Sequence, residues 1–132
     1  MMLLDTHVLL WLRRGDRRLG QQARTEIDRA WQSSEVAVSA ISFWEIAMLE
    51  ARGRVKLEGQ VGPWRREQLE QGVVEIPVDG EIGIRAVSLP DLHSDPADRL
   101  IVATALDGHR LVTADQRMLA WPGRLDRMTA TQ

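Results

Sequence analysis

Four short apolar runs are spaced along the chain: MLL at residues 2–4, EVAV at 35–38, VVEIPV at 73–78 and RLVT at 110–113. Each has the length of a buried strand, and the segments between them carry apolar residues at helical spacing. Strands that alternate with helices imply a parallel or mostly parallel sheet covered on both faces. The expected architecture is therefore α/β, with helices over both faces of the sheet. Residues 1–132 read as a single domain, with no repeat, linker or low-complexity segment.

The intervening helices have readable ends. THVLLWLRR follows the first strand and breaks at Gly15 and Asp16. Leu19, Ala23, Ile27, Ala30 and Trp31 place a second helix over 18–32. Ser39 or Ala40 opens a third, which runs through FWEIAMLEAR and stops at Gly53. GRVKLEG is a loop, and Pro63 fits the start of a helix that Gly72 ends. A further helix covers 79–89, and LPDLHSDP is a loop of turn formers. Asp95 before Pro96 gives an N-cap and first position for a helix ending by Gly108. DQRML begins a short helix, and a last strand falls near Leu125–Thr129.

Onto this frame the chain places four acids on or beside apolar elements. Asp5 ends MMLL, Glu45 lies within ISFWEIAML, Asp98 opens LIVATAL, and Asp115 follows LVTA. A buried carboxylate is costly unless paired, neutralised or bound to a metal. Each has a structural explanation as well. Asp5 and Asp115 are natural helix caps, Asp98 stands third in its helix where a carboxylate favours the dipole, and Glu45 has a place on a solvent stripe. In a parallel sheet, however, ligands bind beyond the carboxyl ends of the strands. Asp5 and Asp115 fall at such ends, and Glu45 and Asp98 lie on neighbouring helices, so all four are expected on one edge. Asp95 reads as a cap rather than a site residue.

Composition narrows the chemistry. There is no cysteine, so thiolate sites and disulfides are excluded, and no HExxH spacing points to zinc. His7, His93 and His109 form no obvious set. GxSxG, GxxxxGK[ST] and GxGxxG motifs are absent. An oxygen-only cluster selects a hard cation, Mg²⁺ or Mn²⁺, of the kind suited to phosphodiester hydrolysis. The formal net charge is −2, yet the chain without its four candidate ligands is positive, almost entirely through arginine. Arginine suits phosphate contacts, although a GC-rich genome that favours arginine codons gives the same excess. The apolar start reads as core strand and helix rather than a signal peptide, and no run approaches a membrane span. A cytoplasmic location without membrane contact is expected.

LLDTHVLLW (3–11), SAISFWEIAM (39–48), HSDPADRLIVATAL (93–106) and LVTAD (111–115) together resemble the PIN-domain ribonucleases, and among them the VapC toxins of toxin–antitoxin pairs. The resemblance implies a PIN-like fold, a three-layer α/β/α sandwich with a mostly parallel central sheet, and Mg²⁺- or Mn²⁺-dependent endoribonuclease activity. It also implies a small antitoxin whose C-terminal segment blocks the cleft, homodimerisation, and an RNA substrate such as tRNA or rRNA. Carried over by position, the family's catalytic and metal-binding acids fall on Asp5, Glu45, Asp98 and Asp115, with Thr113 at a nearby hydroxyl position. Arg13, Arg14 and Arg99 are the expected backbone-binding arginines, Arg99 being equally suited to pairing with a neighbouring acid. Two rival readings stand beside this one: a PIN-type nuclease with no toxin role, and a non-catalytic binding protein whose acids are caps and surface groups.

Overall fold

A computed structural model describes all residues, Met1–Gln132. The strands are β1 (Met2–Leu4), β2 (Val36–Ser39), β3 (Val74–Ile76), β4 (Arg110–Thr113) and β5 (Arg127–Thr129). The helices are α1 (Thr6–Arg14), α2 (Gln21–Gln32), α3 (Ala40–Ala51), α4 (Val61–Glu70), α5 (Gly80–Val87), α6 (Pro96–Ala105) and α7 (Gln116–Leu119). The five strands lie in the order β3-β2-β1-β4-β5. Every pairing is parallel, so the sheet has no antiparallel member. No helix is long and apolar enough to cross a membrane.

The period-2 geometry of β1 divides the core. Met2 and Leu4 face one side with Val36, Val38 and Val112, where Leu9 and Ile27 pack on them. Leu3 faces the other side with Ala37 and Leu111, against Ile82, Ile101, Met118 and Trp121. Leu3, Leu4, Val36, Ala37, Val38, Leu111 and Val112 are fully buried, which explains why these strands read as continuous apolar runs. β1 is the middle strand, and the chain runs outward from it in both directions. The reversal of order between β1 and β4 is a topological switch point, where a crevice opens at the carboxyl ends.

Local chemistry sets the helix ends. α1 is capped by Asp5 and stops at Gly15, whose φ of 65° is the left-handed conformation that glycine adopts without strain. Asp95 caps α6 with Pro96 at its first position. α2 starts at Gln21, later than its apolar spacing suggests, because the end of the chain crosses its N-terminus. Gly20 N donates to Ala130 O at 2.8 Å, and a Cβ on Gly20 would sit 2.1 Å from Gln132 O. α4 starts at Val61, ahead of Pro63, whose missing N–H falls in the first turn where no helical partner exists.

Candidate metal centre

The carboxyl edge gathers the four acids around one cavity of about 300 Å³, lined by Asp5, Glu45, Asp98 and Asp115 together with Asp95 and Arg117. A larger cavity of about 480 Å³ lies elsewhere, between α1, the α3–α4 loop and α4, and contains none of these acids.

Asp5 is held by its own strand and the next. Its N–H donates to Val112 O, extending the β1–β4 pairing, and its Oδ1 accepts from Thr6 N at 2.8 Å as the cap of α1. Its Oδ2 accepts from Thr113 Oγ1 at 2.7 Å. No cation pairs with this buried carboxylate. Burial therefore pushes its pKa up to about 6, against the Thr113 bond and with help from the charge on Asp98.

Glu45 reaches the site from α3. Thr6 Oγ1 lies 2.5 Å from Glu45 Oε1 and 2.9 Å from Ser42 Oγ. A threonine hydroxyl has one proton, so Thr6 donates to the carboxylate and accepts from Ser42. The glutamate also lacks a cation. Burial, opposed by the Thr6 bond and reinforced by Asp5 and Asp98, raises its pKa to about 7.

Asp98 stands third in α6, where its N–H donates to Asp95 Oδ1 at 3.0 Å. Asp95 is thus the cap, as its sequence context implies, and it also lines the cavity. Asp98 Oδ2 lies 2.6 Å from His93 Nε2. Burial raises the Asp98 pKa, the His93 bond opposes it, and Asp95 and Asp115 add to the rise. His93, which forms no obvious set with the other histidines in the sequence, is thus brought to the acid cluster by the fold. Its position five residues before Asp98, in the loop that presents α6, was the available signal.

Asp115 differs from the other three. It caps α7, accepting from Arg117 N at 2.8 Å and Met118 N at 3.3 Å, and Arg117 Nη2 pairs with its Oδ2 at 2.9 Å. Burial pushes its pKa up, but the bonds from Arg117 and Met118 outweigh this and hold it below the usual carboxylate range. Thr113 Oγ1 joins it to Asp5 by accepting from Asp115 N at 3.0 Å while donating to Asp5.

The tightest potential donor set is His93, Asp98 and Asp115, whose ligand atoms lie within 4.8 Å of one another. Asp5 and Glu45 face the same cavity outside that group. Carboxylate oxygens dominate the cavity lining, and two of its acids, buried Asp5 and half-buried Glu45, lack any cationic partner. That is the donor chemistry of a hard divalent ion. Asp98, Asp115 and Asp5 are the residues that would hold it, with Glu45 beside them.

The expected arginines are elsewhere. Arg13 stacks over the Trp31 ring at 5.3 Å and bonds Gln71, and Arg14 donates to Lys56 O. Both line the larger cavity. Arg99 pairs with no acid. It donates to the carbonyls of Ala86 (2.8 Å), Leu89 (2.8 Å) and Leu92 (2.7 Å), and so pins the α5–α6 connection. A guanidinium spent on backbone carbonyls is unavailable to RNA.

A parallel α/β sandwich with an acid cluster at the switch point beside its central strand defines the class of protein. The PIN-domain family model matches residues 2–122, and the chain belongs to that family. It is 41% identical over 118 residues to Ribonuclease VapC22 of Mycobacterium tuberculosis (strain ATCC 25618 / H37Rv), covering 88% of each chain. Two solved structures share the fold. A toxin-antitoxin complex from Klebsiella pneumoniae aligns with TM-score 0.66 and 22% identity over 98% of each chain. A DNA-bound VapBC from Salmonella typhimurium aligns with TM-score 0.64 and 17% identity, again over 98% of each.

Proposed function

We propose that this protein is an endoribonuclease dependent on Mg²⁺ or Mn²⁺, and the toxin of a toxin–antitoxin pair. One observation carries the reading: buried Asp5 and half-buried Glu45, without cationic partners, face the same cavity as Asp98 and Asp115. The relationship to a VapC ribonuclease supplies RNA as the substrate class. When bound, the ion would activate water and neutralise charge on the phosphate. Glu45, with a pKa near neutrality, is suited to take a proton from the attacking water. Thr6 orients that carboxylate, Thr113 orients Asp5, and His93 orients Asp98. Asp5→Asn keeps the cap, because asparagine caps as well as aspartate. It should abolish metal-stimulated RNA cleavage in a folded protein, and full activity in that variant would refute the assignment.

The partner proposals follow from two surfaces. The 480 Å³ cavity, where Leu10 and Trp64 adjoin Arg13, Arg14 and a buried Gln68 whose Oε1 has no hydrogen-bond partner, suits an antitoxin segment. The outward face of α3 presents Trp44 (55% exposed), Ala47 and Ala51 along one stripe of the helix, which suits a second copy of the chain. A cytoplasmic location fits both the proposed substrate and the absence of a membrane-crossing helix.

A further inference from the structure

The cavity at the carboxyl edge poses an electrostatic problem. Five carboxylates line it, and a phosphodiester is itself an anion. Of the chain's 17 lysines and arginines, Arg117 alone lines this cavity. Its side chain is 62% exposed. Nε and Nη2 lie 3.3 Å and 2.9 Å from the two oxygens of Asp115, and Nη2 is 3.7 Å from Asp98 Oδ2. Nη1 makes no hydrogen bond within the protein.

The backbone beneath it is fixed. Arg117 N donates to the cap Asp115, and the next residue, Met118, is fully buried. The cap of α7 uses main-chain donors, so any residue but proline at position 117 would preserve it. The guanidinium is therefore not required for the fold, and an exposed ion pair of this kind contributes little to stability. It spans Asp98 and Asp115, two carboxylates that would hold the divalent ion. With an ion on those oxygens, the pull that keeps Arg117 folded onto them is offset, and its planar fork is free for a planar anionic partner.

We propose that Arg117 is the phosphate-binding residue of this site, leaving Asp115 to engage non-bridging oxygens of the RNA backbone beside the scissile bond. The proposal rests on the ribonuclease reading and supplies the cationic contact that Arg13, Arg14 and Arg99 do not.

The test compares wild type, Arg117→Ala and Arg117→Lys. The readouts are Mn²⁺-dependent cleavage of total bacterial RNA, binding of a short fluorescein-labelled single-stranded RNA across a salt series, and calorimetric Mn²⁺ titration. Arg117→Ala is expected to slow cleavage by about 10- to 100-fold. It should also reduce the slope of log K against log salt by about 0.7, the loss of one phosphate contact on a single strand. Arg117→Lys should keep the slope and recover only part of the rate, because the charge remains and the fork is lost. Mn²⁺ affinity should stay the same or tighten, since a competing cation has been removed. Unchanged cleavage and salt slope in Arg117→Ala would overturn the proposal. So would a cleavage loss matched by weaker Mn²⁺ binding, which marks a role through Asp115 alone. A wild-type protein that binds Mn²⁺ but cleaves no RNA would instead defeat the ribonuclease reading, and this proposal with it.

Discussion

Carboxylates on the outer surface and two of those at the carboxyl edge of the sheet, Asp5 and Glu45, are treated in opposite ways. Glu75 at the β3 edge meets Arg65 in a two-point pair at 2.6 and 2.7 Å, and its pKa is lowered by those bonds. Asp16 meets Arg18, whose side-chain and backbone bonds hold its pKa at about 2. Asp5 and Glu45 are denied any such partner, and burial pushes them to about 6 and about 7. The chain is rich in arginine, yet the one arginine of this cavity, Arg117, pairs with Asp115 and leaves Asp5 and Glu45 without a partner. The fold therefore carries an uncompensated negative charge at one place, which a divalent cation would relieve.

Breaking the acid edge should have the largest effect. Asp5→Asn and Asp98→Asn should each lower metal-dependent cleavage by about 10³-fold, measured on total RNA under matched Mn²⁺. The metal-free Asp5→Asn protein should melt at or above the wild-type temperature, because a buried unpaired charge has been removed. Glu45→Gln should lose about 100-fold in rate while retaining Mn²⁺ binding, as expected of a proton acceptor. His93→Ala, which frees Asp98 from its one side-chain donor, should weaken Mn²⁺ binding by about 10-fold in a calorimetric titration.

The pH dependence sharpens the contrast. Asp5 and Glu45 bind protons more tightly folded than unfolded, so metal-free stability should fall as pH rises through about 6 to 7. Asp16 works in the opposite sense: its contribution is present at neutral pH and is lost as pH falls from about 4 towards about 2. Thermal melts from pH 5 to 8 should therefore decline without metal and flatten with Mn²⁺. The smallest effect is expected at the paired surface, where Arg65→Ala should lower the melting temperature slightly and leave cleavage unchanged.

Most of the fold was legible because strands buried on both faces announce themselves as apolar runs. RLVT coincides with β4 and the run at residues 2–4 with β1. The start of α2 was not legible, since it depends on contact between Gly20 and the distant chain end. The four acids were legible as a group through topology, which brings together positions that each have a local explanation. What sequence could not show is how α5 and α6 direct cations. Arg99 sits next to Asp98 in the chain yet turns away to backbone carbonyls, whereas Arg117 and His93 reach the site from a short helix and a loop. Side-chain direction across elements is set by tertiary packing, and no local pattern encodes it.

Calorimetric titration of Mn²⁺ into the metal-free protein near pH 6.5, in buffers of different ionisation enthalpy, tests the central claim most directly. Saturable binding with release of protons is the expected result, because Asp5 and Glu45 must give up theirs as the cation takes over, and Asp98→Asn should abolish it. Absence of binding at millimolar Mn²⁺ would contradict the account and leave the acids as caps and buried neutral groups.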